Sequence, residues 1–417
     1  MTTSEPKMQR ADIKPSNLPG LTGVSIAGAV RSGERVFLSG ANALASGSGL
    51  AEGDAAKQTH AALDELERAL AAVGGTLAHL TKLTTCIVDR GYRAEVYRAI
   101  SQRLPNVHPV STGLVVAGLP EPDLIVQIDA EAAIPTAPVR HTRPYTFESW
   151  HGQGFPWQGS MVLGTDAEYF VRGQTGASLD HTGTVTKSRS IAAAGQQADV
   201  ALANLCALLK EAGSSPEDIC KMTVYISDRA YRQSVYPMIG KHLVGVRPVS
   251  TGIVTSAFAR EDIAFEIDVT VIPKVGGVPH SRVRPYHSSA ARYGTEAQPL
   301  NIDLCMAVVA GNRVILRGQT GMGLDEKLYG IGDAAAQAGK AMENVEILLG
   351  EAGATLGDIA KLTIYVTDRA YLAAVNAVIL KRLGNTAPAV TSVIIKGLAS
   401  PELLMEVDVV AIKAGNR

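Results

Sequence analysis

"YVTDRAY" occupies residues 365–371, and nearly the same seven letters appear as "CIVDRGY" at 86–92 and "YISDRAY" at 225–231. Their aspartates, Asp89, Asp228 and Asp368, stand 139 and 140 residues apart. A step that regular across the whole chain marks three homologous copies, and it governs how the rest is read. Other landmarks keep the same step. "HPVSTGLVV" (108–116), "RPVSTGIVT" (247–255) and "APAVTSVII" (387–395) recur, followed by "LIVQIDAEAAI" (124–134), "IAFEIDVTVI" (263–272) and "LLMEVDVVAI" (403–412). Ahead of them stand "VFLSGAN" (36–42), "YFVRGQTG" (169–176) and "VILRGQTG" (314–321).

Local patterns give each copy one element order. Residues 54–75, 196–213 and 335–353 carry apolar side chains at helical spacing and end near glycine, a helix stop. "KMTVYISD" alternates, with Met222, Val224 and Ile226 on one face and Thr223, Tyr225 and Ser227 on the other, which is strand period. Arg232 to Leu243 reads as a second helix, and the "RPVSTGIVT" and "AFEIDVTVI" stretches read as strands. Each copy is then a hairpin, helix, strand, helix and two strands. That is an α+β class with helices on one sheet face. In the closing strand Phe265, Ile267 and Val269 form one row, while Glu266, Asp268 and Thr270 form the other. A sheet whose second face is this mixed suits packing against its own copies, and three copies can close a ring. In "DRAY", Asp caps the second helix, Arg covers the sheet edge and Tyr packs with its polar tip exposed.

Bulk properties set limits. The 417 residues are 46% hydrophobic and 19% charged, the composition of a soluble globular chain, and each third is long enough for its own core. A net charge of −1 advertises no polyanion, so no nucleic-acid partner is expected. No apolar run approaches the ~20 residues of a membrane span, and the polar N-terminus lacks a signal-peptide core, so a cytoplasmic location without membrane contact is expected. Cys86, Cys206, Cys220 and Cys305 show no CxxC spacing and read as buried free thiols. The linkers at 135–159 and 273–294 are rich in Pro, Gly, His and aromatics, and both contain "RPY" (Arg143–Tyr145 and Arg284–Tyr286). They read as straps between copies, although loops with His, Arg and Tyr can also line a pocket. His141, His151, His280 and His287 fit no metal spacing, and no phosphate loop is present.

Taken in this order, "SGxN" or "RGQTG", a helix ending "LLxEAG", "KxTxYxxDRAY", "RPxSTGIV" and "xEIDVxVI" resemble the Rid family, the reactive intermediate deaminases also called YjgF or endoribonuclease L-PSP. The resemblance covers all three copies. It implies three tandem chorismate-mutase-like domains (1–137, 138–275 and 276–417) forming an intramolecular pseudotrimer with clefts between copies. Whether two chains pair further is left open. By resemblance the activity is hydrolysis of a C–N bond in an imine, enamine or amide-like metabolite, with no cofactor. An arginine in Pro-x-Arg-Ser would hold the substrate carboxylate, and a glutamate in "vEiE" would position water or a proton. Here the arginine position falls on Ser111, Ser250 and Val390, and the early tyrosine is absent from "TGVSIAGAV". A non-catalytic small-molecule-binding pseudotrimer is therefore the alternative. Endoribonuclease activity is a family label that the near-neutral charge does not support.

The glutamate survives as Glu266 and Glu406, the candidate catalytic residues, with Gln127 in the first copy. Arg172 with Gln174, and Arg317 with Gln319, lie two apart on strands and share a face. They are candidates for a relocated anion clamp, against the alternative of interface ion pairs with Asp268 or Asp408. Ser250 and Thr251 are candidate substrate-orienting hydroxyls, and a Ser–Lys pair using Lys82, Lys221 or Lys361 is a further option against lysines that flank a sheet edge. The first copy has Ser39, Ala41 and Gln127 where the others have Arg, Gln and Glu. If a site takes Arg and Gln from one copy and Glu from its neighbour, only the interface of copies 2 and 3 is complete.

Overall fold

The computed structural model describes residues 8–15, 25–46, 51–146, 157–179, 189–288 and 300–413. Module 1 contains β1 (Gln9–Pro15), β2 (Ser25–Ser32), β3 (Arg35–Leu38), helix α1 (Ala55–Ala71), β4 (Leu80–Ile87), helix α2 (Arg93–Arg103), β5 (Val110–Val115) and β6 (Val126–Ala133). Module 2 contains β7 (Arg140–Thr146), β8 (Gln158–Gly164), β9 (Tyr169–Val171), β10 (Gln174–Thr175), helix α3 (Ile191–Glu211), β11 (Ile219–Ile226), helix α4 (Arg232–His242), β12 (Val249–Val254), β13 (Ala257–Phe258) and β14 (Phe265–Val271). Module 3 contains β15 (Ser281–Val283), β16 (Tyr286–Ser288), β17 (Ile302–Leu304), β18 (Ala307–Ala310), β19 (Arg313–Leu316), helix α5 (Ala334–Glu351), β20 (Ile359–Val366), helix α6 (Arg369–Leu383), β21 (Ala389–Ile394) and β22 (Met405–Ile412).

The expected element order holds in all three. In each sheet the closing strand lies beside the strand that precedes "DR", and that strand runs parallel to its other neighbour (β4–β5, β11–β12, β20–β21). Helices are packed on one face. Met222, Val224, Ile226, Phe265, Ile267 and Val269 join the core beneath α3 and α4, as their alternation predicts. Helix α3 starts five residues before the sequence pattern suggested. Ser190 caps it by accepting from the Ala193 N–H. Gly195, which looks like an interruption, instead allows close approach of α4, because a Cβ there would lie 3.0 Å from Cβ of Ser234.

The DR segments do more than cap. Asp89, Asp228 and Asp368 accept from the N–H groups of Gly91, Ala230 and Ala370 at 2.7, 2.8 and 2.8 Å. Each arginine reaches into the next module rather than merely shielding its own sheet edge. Arg90 donates to the Phe258 carbonyl (3.0 Å), Arg229 to Leu398 (2.8 Å) and Arg369 to Leu119 (3.0 Å). These contacts run 1 to 2, 2 to 3 and 3 to 1, so they close. Backbone pairing repeats the cycle: β5 with β13, Val254 with Gly397, and Ile394 with Gly118.

The second sheet faces meet around a cavity of about 150 Å³ lined by all three modules. Each sheet has an irregularity just before its lysine, between Leu80 and Lys82, Ile219 and Lys221, and Ile359 and Lys361. Such bulges re-aim side chains. The lysines do not flank an edge as one reading had it. Lys82 pairs with Asp268 (3.0 Å), Lys221 with Asp408 (2.5 Å) and Lys361 with Asp129 (2.7 Å), each into the following module. Every one of these lysines has a carboxylate of opposite charge, which is what burial demands.

The straps are anchored at points. Arg143 makes a two-pronged ion pair with Glu211 (2.6 Å each), and Arg284 does the same with Glu351 (2.7 and 2.5 Å). Trp157 donates to the Leu104 carbonyl of module 1 at 2.9 Å. His141 meets Ser160, His280 meets the Ile272 carbonyl and His287 meets Asp303. His151 lies outside the described residues. Cys86, Cys220 and Cys305 are buried and Cys206 is partly buried, all as free thiols.

Candidate functional site

Among the described residues, two equivalent clefts open between modules. The cleft between modules 1 and 2 is lined by Arg172 and Glu266 from module 2, facing Arg93, Tyr97 and Ser111 from module 1. The cleft between modules 2 and 3 is lined by Arg317 and Glu406 from module 3, facing Arg232, Tyr236 and Ser250 from module 2. Arg172 and Glu266 therefore come from one copy, not from neighbours. The expectation of a single complete site between copies 2 and 3 is corrected on that ground: module 1 needs to supply only the other wall, which it retains. Strand geometry explains the pairing, since β10 runs antiparallel to β14 with Thr175 opposite Glu266. The "RGQTG" turn thus passes directly over the glutamate. A side chain at Gly173 or Gly318 would overlap the carboxylate of Glu266 or Glu406, so only glycine fits.

Glu266 and Glu406 are 5% and 6% exposed. Burial, reinforced by the adjacent Asp268 or Asp408 carboxylate, pushes each up to about 8, against the partial pull of Arg172 or Arg317. Both carboxyls are thereby biased toward the protonated form near neutral pH, which suits them to act as acids. On the facing wall, the Arg93 guanidinium lies 4.9 Å from the Tyr97 ring centre and Arg232 lies 4.5 Å from that of Tyr236. Arg93 is 7% exposed and its Nε has no hydrogen-bond partner. Burial works against its charge. Tyr97 Oη is 3.4 Å from Ser111 Oγ. The strap supplies another wall. Arg172 lies 5.2 Å over the Tyr145 ring, and Tyr286 lines the second cleft. Tyr145 sits opposite Gly159, and its hydroxyl fills the space a side chain at 159 would need.

Other candidates are placed differently. The Gln174 and Gln319 amides donate to the carbonyls of Arg172 and Arg317, each at 2.7 Å, so these glutamines hold the turn instead of lining the cleft. Thr251 is fully buried and donates to Asp408, and Thr112 donates to Asp268 at 2.7 Å. Thr251 is thus part of the axial lysine–aspartate cluster, while Ser250 alone of the pair faces a cleft. Asp268 and Asp408 take lysine and threonine as partners, not Arg172 or Arg317. The lysines are likewise engaged, which removes the Ser–Lys pairing.

The third interface, between modules 3 and 1, is closed by direct bonds. Gln127 stands at the glutamate position and donates to the Ser392 carbonyl at 2.9 Å. Ser39 stands at the arginine position, donates to Ala27 and accepts from Val390 N–H at 2.8 Å. On the opposite wall Leu372, Asn376 and Val390 replace Arg, Tyr and Ser, and all are buried. Each of modules 1 and 3 has lost one wall, and the two lost walls are the ones that would have met.

Arg93, Tyr97, Arg232 and Tyr236 were not anticipated from the sequence. The signal was present, an Arg–Tyr pair four residues apart after "DRxY" in two copies and Leu–Asn in the third.

The family profile described as endoribonuclease L-PSP matches residues 25–134, 160–272 and 301–413. A RutC family protein of Pyrococcus abyssi is 31% identical over 107 residues, 26% of this chain and 84% of its own. A chorismatase crystal structure aligns with 80% of this chain and 93% of its own, with TM-score 0.54 and 17% identity, a likeness of fold. A Mycobacterium tuberculosis member of the YjgF/YER057c/UK114 family is 31% identical over 32% of this chain and 99% of its own, with TM-score 0.25. With the profile matched in tandem over most of its length, the chain belongs to the Rid family, also called YjgF or endoribonuclease L-PSP, and carries three copies of its domain.

Proposed function

We propose that this chain acts as an intramolecular pseudotrimer that hydrolyses a C–N bond of a small imine or enamine metabolite at the two open clefts. The observation that supports this most is a buried, protonated carboxylic acid, Glu266 or Glu406, set beside Arg172 or Arg317. An acid near its transition point at working pH suits proton transfer in both directions. In this reading the glutamic acid protonates the substrate imine nitrogen, or the enamine carbon to give an iminium. The resulting carboxylate then takes a proton from water as the water oxygen bonds to carbon. The carbinolamine so formed accepts that proton on nitrogen and expels ammonia while its hydroxyl returns a proton to the carboxylate, leaving a carbonyl. One water is consumed and the glutamate is regenerated. Arg172 or Arg317 holds an anionic group, and Ser111 or Ser250 orients the reacting carbon.

The alternative, a ligand-binding protein without turnover, draws support from Ser111, Ser250 and Val390 at the family's arginine position. Ammonia release from an imine generated in situ separates the two. Glu266→Gln and Glu406→Gln are each expected to remove about half of the activity, since equivalent clefts contribute alike, and the double variant all of it. Saturable binding with no ammonia released by the unaltered protein would overturn the hydrolase reading.

A further inference from the structure

We propose that each open cleft is built for a small dicarboxylate, one carboxylate held by Arg172 or Arg317 and the other by Arg93 or Arg232 from the neighbouring module. The proposal rests on the cleft assignment above, but not on turnover. Each cleft wall carries an arginine from both sides against a single carboxyl group. Around the first cleft these are Arg93 and Arg172 with Glu266, and around the second Arg232 and Arg317 with Glu406. The further guanidinium at the first cleft, Arg260, is held by Asp262. The axial lysines are not available either, being paired with Asp268, Asp408 and Asp129.

Arg93 is the telling residue. It is nine-tenths buried, lines the cleft, has an Nε with no acceptor, and its charge rests against the Tyr97 ring with the Glu266 carboxyl across the cleft. A buried guanidinium without a carboxylate is costly, and a ligand anion offsets that cost. Arg232, half-buried, repeats the stacking, with the Tyr236 hydroxyl at 3.3 Å and the Tyr236 ring as its contacts and Glu406 lining the same cleft. The third interface argues the same way. Where the Arg/Glu wall is gone, the position of Arg93 and Arg232 is Leu372, fully buried in the core. The second arginine is present only where a cleft exists to use it. Arginine's planar fork suits a carboxylate, and two forks facing across a narrow cleft select a ligand charged at both ends.

Calorimetric titration of the full chain with malonate, succinate, glutarate and fumarate, each beside a monocarboxylate of equal length, tests this. At least one dicarboxylate is expected to bind about ten- to a hundredfold tighter than its monocarboxylate partner, the size of one lost charge-assisted contact, with two sites per chain. In the Arg93→Leu/Arg232→Leu variant the preference should vanish while monocarboxylate binding persists. Module 3 already accommodates leucine at this position, and a thermal melt checks folding. Arg93→Lys/Arg232→Lys should keep part of the preference. Equal binding of both classes, binding of none, or a preference that survives the leucine variant would overturn the proposal. Glu266→Gln/Glu406→Gln should retain the preference, and a preference shown by an unaltered protein that releases no ammonia refutes the hydrolase reading alone.

Discussion

Replacing both cleft glutamates by glutamine should make the protein more stable, and increasingly so as pH rises. In the unfolded chain a glutamate titrates near 4.5, whereas folding lifts Glu266 and Glu406 to about 8. Between those values the folded state keeps protons that the unfolded state has released. Stability of the unaltered protein therefore declines as pH rises from 4.5 and levels off above about 8. Each tenfold gain in proton affinity on folding is worth about 1.4 kcal/mol, so the ceiling is roughly 5 kcal/mol per glutamate, and we expect about 3. Glutamine matches the shape of the protonated acid and does not titrate. Urea unfolding of the unaltered and doubly substituted proteins at intervals from pH 5 to pH 9 measures the difference. The gap should widen by several kcal/mol across that range, whatever its starting value at pH 5. A gap that stays constant would show that these carboxyls ionise normally in the fold, and the case for a protonated catalytic acid would fail with it.

Two further expectations follow from the ring of contacts. Asp268→Asn leaves Lys82 buried without its carboxylate and should cost about 3–5 kcal/mol, while Lys82→Met combined with Asp268→Leu should recover most of it, as read by denaturant midpoints. Alanine at Arg90, Arg229 or Arg369 removes an inter-module bond to a backbone carbonyl, and at Arg90 an exposed contact to Glu261 as well, and should cost about 1–2 kcal/mol per site in the same measurement.

The fold was legible because three different periods agreed. The 140-residue step gave the copies, the alternation in residues 221–227 gave the central strand, and the helical spacing gave the covering layer. What the sequence concealed was which wall belongs to which module. Arg172 and Glu266 are nearly a hundred residues apart, yet β10 and β14 pair, so they share a wall. Spacing within a copy carries no information on that pairing. Gln174 and Thr251 were misplaced for a related reason: side-chain polarity announces that a hydrogen bond will form, but not whether its partner is a ligand or a neighbouring backbone or carboxylate group. The strap tyrosines lie in linkers whose composition allows either a connecting strap or a pocket wall, and the register of Tyr145 against Gly159 brings one beside Arg172. Most telling was the matched loss at the third interface. The changes in module 1 and at Val390 stand out in the sequence, whereas Leu372 and Asn376 gain meaning only because the two walls face each other.

The account stands or falls on there being two working clefts and one closed interface in each chain. A crystal soaked in the dicarboxylate that titration ranks tightest tests this directly. Ligand should occupy the clefts beside Glu266 and Glu406, touching Arg93 and Arg172 in one and Arg232 and Arg317 in the other. Ligand seated between Gln127 and Val390, or in the axial cavity with both clefts vacant, would contradict it.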